Sequence, residues 1–329
     1  MSSLDSSILL AFLKAGAAPV SGDKLAKELG MSRVAIWSRL ERLRGVGFSF
    51  EASTRKGYRL TEVPRALHGA LLDAHLRFLK VRTEVELLPL VDSTNSEAER
   101  RLAAGQEAPF GVLACAQSAG RGRLGRRWHS TQPGNLYLSL AFRPFIPPDR
   151  LKPFTLWMGL ALCAHIEARL GLRLGLKWPN DLQLPDGRKV AGMLTEARLD
   201  ADSVRELVFG LGLNLTGAPK DFPAEIRATA GSIEWALGKT LDVNQEAAAV
   251  IATLLQAWKD FEEGAWSRTF RARWQAYDIL TGKSVRVTLR GKPIAGIVDS
   301  IDADGSLILR TGGKRQTIVS SGEVTLRKR

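Results

Sequence analysis

Apolar positions fall into two different rhythms along this chain. Through the first sixty residues they follow a helical period. Ser6–Ala15 is apolar at Ile8, Leu9, Phe12 and Leu13. Ser21–Leu29 comes next, with Ser21 as an N-cap and Gly30 as a stop. Ser32 then caps a third helix, in which Ile36, Leu40 and Leu43 recur at i, i+4 and i+7 as a buried stripe. The tight Gly30-Met31-Ser32 link predicts a helix-turn-helix. Val46–Glu51 and Tyr58–Leu60 read as strands around the basic loop Ser53-Thr54-Arg55-Lys56-Gly57, a wing, and Pro64 marks a boundary.

From about residue 67 to 278, strands and helices mix. Val85–Val91, Val112–Ala116, Leu136–Phe142 and Leu207–Leu215 read as strands, and Phe154–Leu170 and Gln245–Glu263 as helices. Leu174–Leu184 and Lys189–Ala197 flank Asp186-Gly187, a hairpin signal. Beyond Asp278 the texture is all β: Val285–Leu289, Ile294–Asp302, Leu307–Arg310 and Thr317–Val319, separated by glycine turns, predict a small barrel. The domain limits are therefore 1–65, 66–278 and 279–329.

Composition adds charge to this picture. The 329 residues suit two or three domains, and the apolar fraction of 45% is that of an ordinary soluble chain. No apolar run reaches membrane-spanning length, and the N-terminus lacks a signal peptide, so a cytoplasmic protein without a membrane partner is expected. Cys115 and Cys163 form no disulfide or metal spacing and read as buried, inert thiols. The net charge of +13 is uneven: +5 on residues 1–65, +6 on 279–329 and only +2 between. Basic ends favour an anionic partner. Yet Ala108–Pro148 holds no Asp or Glu, and within it Gly120-Arg-Gly-Arg-Leu-Gly-Arg-Arg127 places four guanidiniums among three glycines.

That loop literally matches a dinucleotide-binding glycine pattern and the start of a P-loop. Both require a helix to follow at once. Arg126 to Asn135 is poor helix material, so both readings fail. What remains is a mobile loop whose arginine forks bind phosphate or carboxylate. Asp92-Ser93-Thr94-Asn95 ends a strand, and Thr94-x-x-Glu97 reads equally as a capping box. In Lys177-Trp-Pro-Asn-Asp181, Pro179 denies a ladder bond and predicts a bulge or edge. Lys189 stands at the threshold of an apolar strand, where it can pair with an anion.

Six motifs in order, Asp92–Asn95, Gln117–Arg127, Asn135–Ser139, Lys177–Asp181, Lys189-x-Ala-Gly192 and Gly210-x-Gly-x-Asn214, make the chain resemble the biotin–protein ligases that double as biotin operon repressors. The resemblance covers nearly the whole length. It implies an α+β multidomain fold: an N-terminal winged helix-turn-helix, a central mixed α/β ligase domain and a C-terminal SH3-like β-barrel. It also implies two steps. Biotin and ATP, with Mg2+, give biotinyl-5′-adenylate, and a lysine of a biotin carboxyl carrier domain then takes the biotin. By this likeness Ser93, Thr94, Asn95, Gln117, Arg121, Gly122, Arg123 and Lys189 bind biotin, with Lys189 and Arg123 catalytic. Arg121, Arg123, Arg126, Trp128, Asn135, Lys177, Asn180 and Asn214 bind ATP or the adenylate, and Asn180 and Asp181 lie near the metal. Operator DNA would meet Ser32, Arg33, Trp37, Ser38, Arg39, Arg55 and Lys56, with Arg42 and Arg44 adding to the backbone footprint. Adenylate would promote a homodimer. A non-catalytic biotin-sensing DNA-binding regulator, a lipoate-type ligase and a ligase with a DNA-inert first domain are the competing readings.

Overall fold

The computed structural model describes residues 4–53, 56–130, 134–289, 292–312, 314–318 and 323–326. It divides into two compact units, Met1–Leu87 with Thr240–Ala252, and Leu88–Lys239 with Thr253–Arg329.

In the first unit the polar caps fall where the sequence places them. Helix α1 (Leu4–Ala15) precedes α2 (Gly22–Leu29), where Ser21 accepts the Lys24 N–H, and α3 (Arg33–Arg44), where Ser32 accepts the Ala35 N–H. Gly30 ends α2 at φ 62, a left-handed conformation that favours glycine. Ile36, Leu40 and Leu43 are buried against Ile8, Leu9, Phe12 and Leu25, as their spacing requires. Strands β1 (Ser49–Ser53) and β2 (Gly57–Glu62) form an antiparallel pair. Strand β1 starts later than expected because Val46 and Phe48 still donate to the Leu43 carbonyl, closing the helix. Helix α4 (Gly69–Phe78) adds Leu71 and Ala74 to the same core, so apolar burial here continues past residue 65. Asn244 accepts the His68 N–H at 2.7 Å, which explains why 240–252 belongs to this unit.

The second unit is built on a sheet. Strand β3 (Glu84–Leu88) and helix α5 (Thr94–Ala103) lead into β4 (Phe110–Ala114), β5 (Leu136–Phe142) and α6 (Phe154–Leu170). Next come β6 (Gly175–Lys177), β7 (Asp181–Gln183), β8 (Lys189–Asp200) and β9 (Ser203–Leu213), giving the order β3-β4-β5-β9-β8-β7-β6. Strands β4 and β5 are buried throughout, which is why they read as continuous apolar runs. Ala98 and Leu102 of α5 pack on Phe110, Val112 and Val208. Helices α7 (Ile233–Leu237), α8 (Val243–Glu262, of which 253–262 belong to this unit) and α9 (Ser267–Tyr277) follow, and Trp258 of α8 stacks on Phe142 at 4.1 Å between centroids. Cys163 is fully buried, and burial pushes its thiol up to about 12; Cys115 is only half-buried.

Leu174–Leu184 is not one strand with a bulge. It is a hairpin, β6–β7, that turns at Trp178-Pro179-Asn180, with the Trp178–Pro179 bond cis. The proline thus sits where no ladder donor is needed. Strands β10 (Ser284–Leu289), β11 (Lys292–Ile301), β12 (Leu307–Thr311), β13 (Lys314–Ile318) and β14 (Glu323–Leu326) form an antiparallel sheet ordered β13-β12-β11-β10-β14. Strand β14 has no clear signal in the sequence pattern. The Trp178 indole donates to the Gly305 carbonyl at 3.0 Å, tying the β6–β7 turn to this sheet. Among the described residues no helix is long and apolar enough to cross a membrane.

Candidate active site

The start of α5 is drawn away from an ordinary cap. Ser93 occupies the cap position but its side chain caps nothing, and Glu97 pairs with Arg100 and Arg101 instead of reaching back. The capping-box reading of Thr94 and Glu97 is therefore corrected. Gln117 supplies the acceptor: its Oε1 takes the Thr94 N–H at 2.7 Å and lies 3.2 Å from Thr94 Oγ1. Gln117 Nε2 donates to Ser130 Oγ at 2.8 Å. On β5, the Ser139 hydroxyl lies 2.8 Å from Thr94 Oγ1 and 2.6 Å from Asn95 Oδ1. All these side chains are buried, so the network fixes three elements at one corner. Before it stands Asp92, whose carboxylate accepts the Ser93 N–H and both arms of the Arg100 fork. Arg100 first, then the backbone bond, holds that carboxyl down at about 2 despite some burial.

The Arg/Gly loop is a narrow excursion that closes on itself. The Trp128 N–H donates to the Gly120 carbonyl and the Gly122 N–H to the Arg126 carbonyl. A single tight turn, Arg123–Gly125, crosses the tip, and residues 126–130 after it are not helical, as the exclusion of the two phosphate motifs requires. A Cβ on Gly120 would lie 2.6 Å from the Trp128 carbonyl oxygen, so that glycine allows close packing. Arg121 Nη2 donates to Glu196 at 2.8 Å and to Glu99 at 3.3 Å, while Arg123 Nη1 donates to Asn180 Oδ1 at 3.3 Å.

Facing the loop are the glycines of β8 and β9. A Cβ on Gly212 would come within 2.2 Å of the Trp128 ring, and one on Gly192 within 2.8 Å of that ring and 3.1 Å of Lys189 Nζ. A Cβ on Gly210 would sit 2.2 Å from Asn95 Oδ1. The glycines therefore make a floor on which Asn95 and Trp128 rest, and the Trp128 indole N–H is buried without a partner. Lys189 opens β8, with its Nζ 2.6 Å from Asp181 and 5.2 Å from the Trp128 ring centroid.

These pieces border one cavity of about 190 Å³. Ser93, Thr94, Asn95, Gln117, Arg121, Gly122, Arg123, Arg126, Trp128, Lys177, Asn180, Asp181 and Lys189 all line it. Its basic lining residues are Arg121, Arg123, Arg126, Arg127, Lys177 and Lys189; its only acidic one is Asp181. Six cations against one carboxylate among the described lining residues equip the cavity to gather anions. Asn135 and Asn214 are the exceptions to the expected set. Asn135 Oδ1 accepts the Thr216 N–H and Asn214 Nδ2 donates to the Gly231 carbonyl, so both are buried in holding loops behind the floor. Sequence reasoning missed Glu99 and Glu196, because isolated acids on a helix and a strand carry no local signal. No group of three metal-ligating side chains exists among the described residues, and Asp181 is already neutralised by Lys189.

On α3 the expected DNA footprint shrinks. Arg39 is half-buried and donates to Asp5 at 2.6 Å, and Arg44 is held by Glu41 and the Phe50 carbonyl. Neither is placed to meet a phosphate. Ser32 spends its oxygen on the cap. Arg33 pairs with Asp23 at 3.0 Å but both remain exposed, and Ser38 and Lys56 are exposed. The face between them is apolar: Val34 is 74% and Trp37 53% exposed. Arg55 lies outside the described residues.

Comparison with known proteins agrees with this geometry. Residues 87–214 match the model of the biotin/lipoate A/B protein ligase family, 6–59 that of an HTH domain, and 280–327 that of the biotin protein ligase C-terminal domain. The chain is 33% identical to the bifunctional ligase/repressor BirA of Bacillus subtilis over 97% of its own length and 98% of the relative's. It is 34% identical to the biotin–[acetyl-CoA-carboxylase] ligase of Paracoccus denitrificans, over 70% of this chain and 96% of that one. Among solved structures, the biotin protein ligase of Aquifex aeolicus in complex with biotin and ATP superposes with a TM-score of 0.63 at 27% identity, covering 74% of this chain and 99% of the other. The likeness to the Bacillus protein runs through the helix-turn-helix as well as the cavity, and the chain belongs to the bifunctional ligase/repressor family of biotin protein ligases.

Proposed function

We propose that this chain is an ATP-dependent biotin–protein ligase that also represses transcription with biotinyl-5′-adenylate as corepressor. The observation that carries this reading is the joining, in one cavity, of the Ser93–Asn95 corner, the arginine loop and Lys189, with a single acid among them. Biotin's carboxylate must approach the anionic α-phosphate of ATP. Cations that offset both charges lower that barrier most where charge builds up between them. Arg121 and Arg123 cover the carboxylate and the phosphate, and Lys189 meets the activated carboxyl group. Lys177, Arg126 and Trp128 serve the nucleotide. A carboxylate oxygen forms the new bond to the α-phosphorus and pyrophosphate leaves. A lysine amine of a biotin carboxyl carrier domain then attacks the acyl carbon and AMP departs, so the enzyme needs no nucleophile of its own. Closure of the loop keeps water from the mixed anhydride.

Asn180 and Asp181 do not make a cage for Mg2+: the amide oxygen accepts from Arg123 and the carboxylate pairs with Lys189. A magnesium ion with ATP would be held mainly by the phosphates and water, and it would supply charge neutralisation there. We assign residues 1–65 to DNA binding, 66–278 to the ligase and 279–329 to the SH3-like domain, in a cytoplasmic protein. Adenylate binding would favour a homodimer that sets two winged helices on a two-fold operator. Adenylation of biotin in competition with lipoate and octanoate tests the substrate: preference for lipoate or octanoate would make the chain a lipoate-type ligase.

A further inference from the structure

We propose that Glu196 is a positioning residue for adenylation, holding Arg121 of the loop and Asn95 of the biotin corner in one fixed relation. The inference rests on the ligase reading, since it concerns the same cavity. Glu196 stands on β8 and is not among the residues lining that cavity. One of its oxygens, Oε2, accepts from Asn95 Nδ2 at 2.6 Å and from Arg121 Nη2 at 2.8 Å.

Each bond settles an orientation. Asn95 turns its amide nitrogen to Glu196 and its oxygen to Ser139. A flipped amide would set its oxygen against the carboxylate, which is repulsive. Asn95 has no room to shift sideways, because it rests on Gly210 where not even a Cβ fits. Arg121 spends Nη2 on Glu196 and, at 3.3 Å, on Glu99. Two carboxylates share that one nitrogen and tether the guanidinium by it. Glu196 carries the firmer of the two tethers, because its contact is the shorter, 2.8 Å against 3.3 Å. A guanidinium tethered in this way loses less freedom when the biotin carboxylate arrives. Arg121 also serves the phosphate, but Asn95, the other group that Glu196 holds, belongs to the biotin corner, so the larger effect should fall on biotin.

The test is steady-state pyrophosphate release by the full chain, varying biotin at saturating ATP and then the reverse. The variants are Glu196→Gln, Glu196→Asp, Arg121→Gln and the double variant E196Q/R121Q. Glu196→Gln should raise the KM for biotin about tenfold and move the KM for ATP by less than about twofold, as loss of a charge-assisted bond on one substrate would. Glu196→Asp should recover part of that loss. In the Arg121→Gln background, Glu196→Gln should add less than about twofold, because coupled residues are not additive. Equal effects of Glu196→Gln in both backgrounds would overturn the proposal. So would parallel rises in both KM values with a lowered melting point, which would make Glu196 merely structural. A wild-type chain that releases no pyrophosphate with biotin would instead remove the ligase reading, and this inference with it.

Discussion

Lys189 Nζ lies 2.6 Å from a carboxylate oxygen of Asp181, so the lysine of the cavity is paired with an acid. The two residues start the facing strands β8 and β7, and Asp181 stands opposite Gly192 in that ladder. An incoming carboxylate or phosphate must share the lysine with Asp181 or displace it. In the proposed reaction the pair would be a switchable charge where carboxylate meets phosphate.

Lys189→Ala should therefore lower adenylation by about 10²–10³, the cost of removing one preorganised charge from a forming oxyanion. Because both side chains keep part of their exposure, the ion pair contributes no more than about 1 kcal/mol to folding. Pyrophosphate release and thermal unfolding, measured on the same preparation, check both halves. An equal loss of stability would return Lys189 to a structural role.

Arg123→Gly should let the intermediate escape. Arg123 reaches from the loop tip to Asn180, and both line the cavity. Without that contact the loop loses a hold over the adenylate. The expected outcome is faster adenylate dissociation and scattered biotinylation of nearby lysines in a mixed-protein assay. A variant that holds its intermediate as tightly as the parent would remove the lid role.

Asp92 gives a pH signature. Arg100 holds its carboxyl at about 2, below the ordinary 3.8, so the folded state prefers it ionised. Its contribution is complete above about pH 4 and is lost as pH falls toward about 2. Asp92 is half exposed, which limits the gain to about 1 kcal/mol or less. The melting-point gap between wild type and Asp92→Asn should be flat from about pH 8 to 5 and shrink below about pH 4.

At the DNA-binding end, Lys56→Ala should reduce the salt slope of DNA binding by about one. Arg39→Ala should leave that slope unchanged and destabilise the first unit, because Arg39 is engaged with Asp5. Trp37→Ala should change which sequences are selected, since in the proposed complex the exposed Val34–Trp37 face would meet base edges apolarly. Binding isotherms at several salt concentrations, with selection from a random duplex pool, separate the three.

Legibility followed locality. Ser21, Gly30 and Ser32 act on groups within a few residues, and their roles were visible in the sequence. The length of Phe154–Leu170 was visible too, since an apolar face and a closing Gly171 define it. Thr94 looked like a cap because nothing local announces Gln117, 23 residues away, as the stronger partner. Arg39 looked available for the same reason, its partner Asp5 lying 34 residues back. Asn214 closes a motif whose Gly210 and Gly212 line the cavity, yet its side chain, like that of Asn135, turns to loop backbone, a choice only the fold makes. Glu196 was silent for the converse reason: its meaning comes wholly from Asn95 and Arg121.

The most direct test of the account is pyrophosphate release by the full chain supplied with biotin and ATP. Release that requires both substrates, followed by transfer of biotin to a carrier-domain lysine, is the predicted result. DNA binding that responds to biotin with no pyrophosphate released would contradict it, and would leave the cavity as a sensor and not a catalytic site.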